Sequence, residues 1–149
     1  MAQTTGAISS VDARIETSPD GAAWTDHSGE SVRLSPSGGG RQRGQRNTFD
    51  GESPVVTTGK RELMEFEVEY LYTEGASDLF EVARAAFEAN SNFYIRWAPK
   101  GGQTGEFRFT TAVGKVANFQ YPAIDAGSPD PIALTFQLIA ASVTKAVVP

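Results

Sequence analysis

Three glutamates, Glu65, Glu67 and Glu69, form a regular row of acid–base side chains in the segment KRELMEFEVEYLYT. If this segment is a β-strand, the three side chains share one face, and neighbouring carboxylates lie about 6.5–7 Å apart. That separation is compatible with the paired carboxylates of a glycoside hydrolase. A charged strand face is nearly always a solvated face, however, so the row is interpreted as a surface feature rather than a catalytic pair.

Other catalytic and metal-binding chemistry finds little support. His27 is the only histidine, and it lies in the turn-like segment WTDHSGE, so we expect it on the surface. No G-x-S-x-G nucleophile motif accompanies it. The chain has no cysteine, which leaves no ligand set typical of a transition-metal site. The sequence therefore predicts no catalytic residue, no metal and no cofactor, and a protein that is not an enzyme.

The glycine-rich segment GGGRQRGQRNTFDGE, residues 38–52, fails both phosphate-binding templates. A dinucleotide-binding fingerprint needs a third glycine where the chain has Arg43. A P-loop needs lysine directly after Gly44, where Gln45 stands.

The same segment places Arg41, Arg43, Arg46 and Phe49 in an acidic chain, which has 18 acidic and 13 basic residues and a net charge of −5. Residues 36–59 have no hydrophobic period, so we expect a long irregular loop, and such loops are usually functional or disordered. Guanidinium groups bind carboxylates in bidentate geometry, so the arginines suit ion pairs with an acidic surface. Phe49 would add apolar contact. A solvated loop and a nucleic-acid-binding arm are the alternatives.

A period of two runs through residues 60–73, where apolar side chains alternate with the glutamates. It predicts a strand of about 40 Å with one buried and one solvated face. The expected buried positions are Met64, Phe66, Val68, Tyr70 and Tyr72.

Residues 77–91 change to a helical period, with Ser77 as the expected N-cap and Asn90 as the expected end. Shorter strands are predicted before and after these elements, at residues 13–18, 30–35, 92–98, 106–111, 113–121 and 132–141. In the last of them Thr135 and Gln137 face away from the apolar positions.

Together these elements predict one domain over residues 1–149 that is mainly β, and α+β in detail. We expect a β-sandwich or curled sheet with one flanking α-helix and a long extended loop. The N-terminus lacks the pattern of a signal peptide, and no apolar stretch is long enough to predict a membrane span.

Residues 75–140 resemble the second half of the tail tube (major tail) proteins of long-tailed bacteriophages. The resemblance is carried by the helix leading into NFYIRWAP, the loop F-x-Y-P-x-x-D-A-x-S-P-D-P and the final strand I-x-L-T-F-Q-L. It implies a structural subunit, six copies of which form a ring whose inner wall is a β-barrel with four strands from each subunit. Rings would stack into a hollow tube that conducts the genome during ejection. A long loop would reach a neighbouring ring or subunit, where Arg41, Arg43 and Arg46 would bridge to carboxylates and Phe49 would add apolar contact.

The resemblance also implies a location and partners. The protein would be part of the virion tail, assembled in the host cytoplasm, with tail-tip, tape-measure and tail-terminator proteins as partners and no membrane. DNA would pass through the tube without specific binding.

In such a tube the glutamate face would line the lumen, where negative charge repels phosphates over about one Debye length, ~8 Å at physiological salt. A cationic wall would instead bind DNA through counterion release. Thr135 and Gln137, which are small and polar, suit the same wall.

Two other functions remain open. One is a ring-forming tube protein of a related secretion or injection system. The other is a monomeric β-sandwich that binds a ligand through Trp24 and Trp97. Trp97 alternates with Phe93 and Ile95, which favours a core position and disfavours the ligand-binding module.

Overall fold

The computed structural model describes residues 3–149, which form eleven β-strands and one α-helix. The strands are β1 Arg14–Ser18, β2 Thr25–Asp26, β3 Ser31–Gly38, β4 Arg41–Arg46, β5 Val55–Arg61, β6 Met64–Leu71, β7 Tyr94–Ala98, β8 Phe107–Thr111, β9 Gly114–Phe119, β10 Ala133–Ala140 and β11 Val143–Val147, and the helix α1 is Leu79–Ala89. The prediction of a mainly β fold with one helix is confirmed. Within the described chain, no helix has the length and apolarity that crossing a membrane requires.

All strand pairings are antiparallel, and they form two main sheets and one separate ribbon. The five-stranded sheet has the order β11-β8-β7-β1-β2, and the four-stranded sheet has the order β3-β6-β10-β9. Among the described strands, β4 and β5 pair only with each other. The strand β11, at one edge of the larger sheet, was not predicted because its side chains are mostly exposed and show no apolar alternation.

The hydrophobic core joins the inner face of the four-stranded sheet to α1 and to β7. The period of two in β6 and β10 determines this face, because every second side chain points inward. The fully or nearly fully buried core side chains include Phe66, Val68 and Tyr70 of β6, Leu134, Phe136 and Leu138 of β10, Leu79 and Ala83 of α1, and Ile95 of β7.

The expectation of a long irregular loop at residues 36–59 is wrong. β3 continues to Gly38, and β4 and β5 form an antiparallel hairpin in which Arg46 lies opposite Val55. Residues 41–61 are called the arm below. The hairpin escaped sequence analysis because its strands are polar and exposed along almost their whole length, so no apolar alternation marks them.

The predicted continuous strand over residues 60–73 is interrupted. β5 ends at Arg61 and β6 begins at Met64. The predicted division into a buried and a polar face is confirmed within β6, but the part before Met64 belongs to the arm.

α1 begins at Leu79, so its N-cap is Asp78 rather than the predicted Ser77, and the Asp78 side chain makes no capping hydrogen bond. Instead the carboxylate of Glu30 accepts a hydrogen bond from the Leu79 backbone N–H at 2.9 Å. A negative charge there also stabilises the helix through its dipole. The predicted end is confirmed: Asn90 adopts the left-handed conformation, with φ of 50°.

His27 is buried, with 2% of its surface exposed, so the expectation of a surface histidine is wrong. Its Nδ1 lies 2.5 Å from Glu30 Oε1, and the Thr73 hydroxyl donates to Glu30 Oε2 at 3.0 Å. One carboxylate thus links the turn before β3, the segment after β6 and the start of α1. Burial, followed by the charge of Glu30, raises the pKa of the Tyr70 hydroxyl.

We predict that Glu30→Ala lowers the free energy of unfolding by about 2–4 kcal/mol, because it leaves the Leu79 N–H and His27 without their acceptor. The exposed Glu52 provides the matched control, since Glu52→Ala removes a carboxylate from the arm. Urea unfolding followed by tryptophan fluorescence measures both. Equal stability of the two variants would show that Glu30 does not hold the helix.

Candidate assembly surfaces

The outer face of the four-stranded sheet carries the glutamate row. Glu65, Glu67 and Glu69 alternate along β6 with side chains of the core, so all three point away from it. Glu65 and Glu67 are exposed and Glu69 is half-buried. The three residues thus share a face, as the period of two predicted.

Arg33 belongs to the same face, and sequence analysis missed it. On β3 it lies opposite Glu69, and its Nη2 is 3.0 Å from Glu67 Oε1 and 3.2 Å from Glu69 Oε2. Exposed ion pairs of this kind contribute about 0–1 kcal/mol each. Their larger effect is to reduce repulsion between adjacent carboxylates. The three glutamates and Arg33 together carry a net charge of −2. The pairing of β3 with β6 is long-range, and no local pattern reveals it.

Thr135 and Gln137 lie beside the row on β10, opposite Glu69 and Glu67. Gln137 Nε2 donates a hydrogen bond to Glu65 Oε2 at 3.2 Å. Asn118 of β9 in turn donates to Gln137 Oε1 at 2.8 Å. A continuous polar layer therefore crosses the sheet from β3 to β9.

β3 and β9 are the outer strands of this sheet, and neither pairs with a further named strand. At the start of β9, Gly114 forms an isolated antiparallel bridge with Phe93, so the edge of β9 that is open to another strand begins after Gly114. Because the four strands alternate in direction, β3 and β9 run antiparallel to each other. The β3 strand of a second copy can therefore continue the ladder at β9 with the same alternation. Repeating this step leaves no free edge only if the copies close into a ring.

The arginines of the arm point to both of its faces. By strand alternation, Arg41 and Arg43 share one face and Arg46 lies on the other. All three are exposed, and none forms a salt bridge with a carboxylate of residues 3–149. Phe49 is exposed at the tip between β4 and β5. Their charge and apolar surface are thus available to a second molecule.

A glycine bend attaches the arm to the sheet. Gly38 and Gly39 have positive φ values of 73° and 75°, and Gly39 N donates to Leu63 O at 3.1 Å. On the other side of the bend, Glu62 N donates to Gly40 O at 2.7 Å. The glycines permit a conformation that other residues rarely adopt. Since both strands turn together and stay hydrogen-bonded, the arm is a bent continuation of the β3–β6 hairpin.

The two tryptophans do not form a common ligand site. Trp97 stacks against Phe109, with ring centroids 5.7 Å apart, whereas Trp24 lies under the guanidinium of Arg96. Arg96 and Trp97 are consecutive in β7, so they point to opposite faces of the five-stranded sheet. Among residues 3–149, no group of three or more His, Asp or Glu side chains is placed to hold a metal ion.

Solved structures share this fold over nearly the whole chain. The sheath–tube complex of the extracellular contractile injection system PVC, in its extended state, contains a chain that matches with a TM-score of 0.66 and 14% identity, covering 99% of this chain and 100% of that one. The tail of the empty GTA (gene transfer agent) particle, refined with C6 symmetry, matches with a TM-score of 0.66 and 9% identity, covering 99% and 100%. The SPP1 tail tube matches with a TM-score of 0.64 and 12% identity, covering 91% and 77%. No family model and no curated protein sequence matches the chain.

We predict that Gly38→Ala opens the bend, because an added Cβ would lie 2.6 Å from Leu63 O and the backbone φ is positive. Gly40→Ala is the matched control, since its Cβ would meet nothing within 4 Å. Hydrogen exchange at the Gly39 and Glu62 amides should be about tenfold faster in Gly38→Ala, equivalent to about 1.4 kcal/mol, and unchanged in the control. Similar exchange in both variants would contradict the role of the bend.

Proposed function

We propose that this protein is a structural, non-enzymatic subunit of the tail tube of a phage-like particle. In this role it assembles into hexameric rings that stack into a hollow tube for DNA. The observation that carries the proposal is the four-stranded antiparallel sheet, which has a polar outer face and two outer strands of opposite direction, each open to a further strand along most of its length. The shared fold of tube proteins such as the SPP1 tail tube supports it.

The geometry of ring closure is consistent with this role. Six copies contribute 24 strands if each provides its four-stranded sheet. At about 4.8 Å between strands and a tilt of roughly 40°, such a barrel is roughly 45–50 Å across its backbone. After side chains are added, the bore still accommodates a DNA duplex.

The face that lines this bore is the one with Glu65, Glu67 and Glu69, together with Thr135 and Gln137. Its partial neutralisation by Arg33 leaves it acidic, so it repels phosphates and lets DNA slide. The opposite face of the sheet is committed to the core and cannot line a channel.

The arm supplies contacts between subunits. A two-stranded ribbon is marginal by itself in water, and Arg41, Arg43, Arg46 and Phe49 are exposed in the single chain. In the tube these residues bind carboxylates and apolar groups of a neighbouring copy. This position makes the arm part of the assembly rather than a nucleic-acid-binding segment.

In this proposal the protein is located in the tail of the particle, and the tail is assembled in the host cytoplasm. Its partners there are tail-tip, tape-measure and tail-terminator proteins. A tube subunit of a contractile injection system is a second candidate, because a chain of the PVC sheath–tube complex has the same fold. Both candidates share the ring and the bore.

Electron microscopy of the purified protein tests the proposal. At high concentration, or on a purified tail tip as template, we expect six-fold rings or hollow tubes in which the four-stranded sheet faces the bore. A protein that remains monomeric under both conditions, or tubes that expose the glutamate row outside, would overturn it. A gene for a sheath protein beside the gene of this protein would indicate a contractile system rather than a sheathless tail.

We also predict that Glu65→Lys with Glu67→Lys makes assembled tubes retain short duplex DNA, because a cationic wall binds phosphates by counterion release. The matched control is Glu81→Lys with Glu88→Lys, which changes the charge equally on α1, away from this face. Fluorescent DNA that sediments with the tubes at low salt and is released at high salt measures the effect. Equal retention by the two variants would place the glutamate row outside the bore.

A further inference from the structure

The two ends of the four-stranded sheet differ in what they carry. At one end Gly38 pairs with Met64, and the arm leaves the sheet there. At the opposite end, called the far end below, Ala133 pairs with Leu71. β6 has eight residues between these ends, so they lie about 25 Å apart.

The ends also differ in charge. The arm contains five Lys or Arg and two Asp or Glu, for a net charge of +3, and the rest of the chain therefore carries −8. Three segments meet at the far end, namely residues 27–32, 72–78 and 120–132. They contain five Asp or Glu and no Lys or Arg.

The far end has a groove of about 720 Å³ between the loop 120–132 and the start of β10. Ile124, Pro131 and Ile132 give it apolar walls, and Asp125 and Asp130 lie in its lining. Ile124 is 92% exposed, which is unusual for an isoleucine in a single folded chain. The groove thus combines apolar surface with carboxylates.

The arm has the complementary combination on each of its faces. Arg46 lies opposite Val55, so these two side chains share one face. Val56, which lies opposite Gln45, shares the other face with Arg43. Val56 is 69% exposed, and Val55 is also exposed. Whichever face docks therefore presents an arginine next to a valine.

We infer that the far-end groove of one copy receives the arm of the next copy along the tube axis. This inference rests on the proposed tube. Head-to-tail stacking brings the cationic end of one sheet to the acidic end of another, where Arg43 or Arg46 binds Asp125 and Asp130. The valines cover Ile124. The contact is heterologous, so it repeats without limit and lengthens the tube.

Cysteine cross-linking tests this contact, because the natural chain has no cysteine. In the double variant Val56→Cys with Ile124→Cys, mild oxidation should produce a ladder of covalent multimers. On a denaturing gel, mixing the two single variants should produce only covalent dimers, and each single variant alone should give no cross-linked product. The control pair is Val56→Cys with Val147→Cys, since Val147 is also exposed, at 55%, but lies on β11. We expect at least tenfold less cross-linked product from the control.

The wild-type protein is examined in parallel by electron microscopy, so that the two hypotheses fail separately. Wild-type tubes without a ladder, or with a ladder no stronger than the control, overturn the groove as the receptor of the arm and leave the tube intact. A ladder without rings or tubes overturns the proposed function and retains the arm–groove contact. The absence of both overturns both.

Discussion

The pairing of β6 with β3 on one side and β10 on the other is the interaction on which the rest of the structure depends. Its register places Phe66, Val68 and Tyr70 in the core, and the alternation of side chains then sends the glutamates to the opposite face. The same pairing leaves β3 and β9 as antiparallel edges and places the arm and the far-end loop at opposite ends. The polar outer face, the two outer strands and the two different ends of the sheet are thus consequences of one ladder.

Features with a local period could be predicted from the sequence, and features formed by long-range partners could not. The two faces of β6 and the end of α1 at Asn90 were predicted because alternation and a left-handed cap are local. The arm was mistaken for a loop because its polar strands bury nothing within the chain. The burial of His27 could not be predicted, because it depends on a long-range contact. The Glu30 carboxylate that binds His27 also binds the N–H of Leu79, which lies 49 residues farther along the chain.

The bend at Gly38 and Gly39 explains why so many glycines precede the arm. A flexible tether would have to be ordered at every contact, which costs about 1–2 kcal/mol per residue. Here backbone hydrogen bonds to Leu63 and from Glu62 already order the bend in the single chain. In the proposed contact between copies, burial of an exposed valine side chain contributes about 1.5–3 kcal/mol. None of this free energy is needed to order the bend, which is already ordered. The glycines therefore provide direction rather than flexibility.

The position of Arg33 reduces the repulsion among glutamates of one row while the face as a whole stays acidic. Adjacent glutamates of one row lie about 6.5–7 Å apart, within one Debye length, so their repulsion is little screened. In the proposed ring, the rows of neighbouring copies would be four strands apart, about 19 Å, which exceeds two Debye lengths at physiological salt. Repulsion is therefore strongest inside each row, which is where Arg33 contacts Glu67 and Glu69. One guanidinium per copy relieves that repulsion and leaves the face with a net negative charge, as a wall that repels DNA in the proposed tube requires.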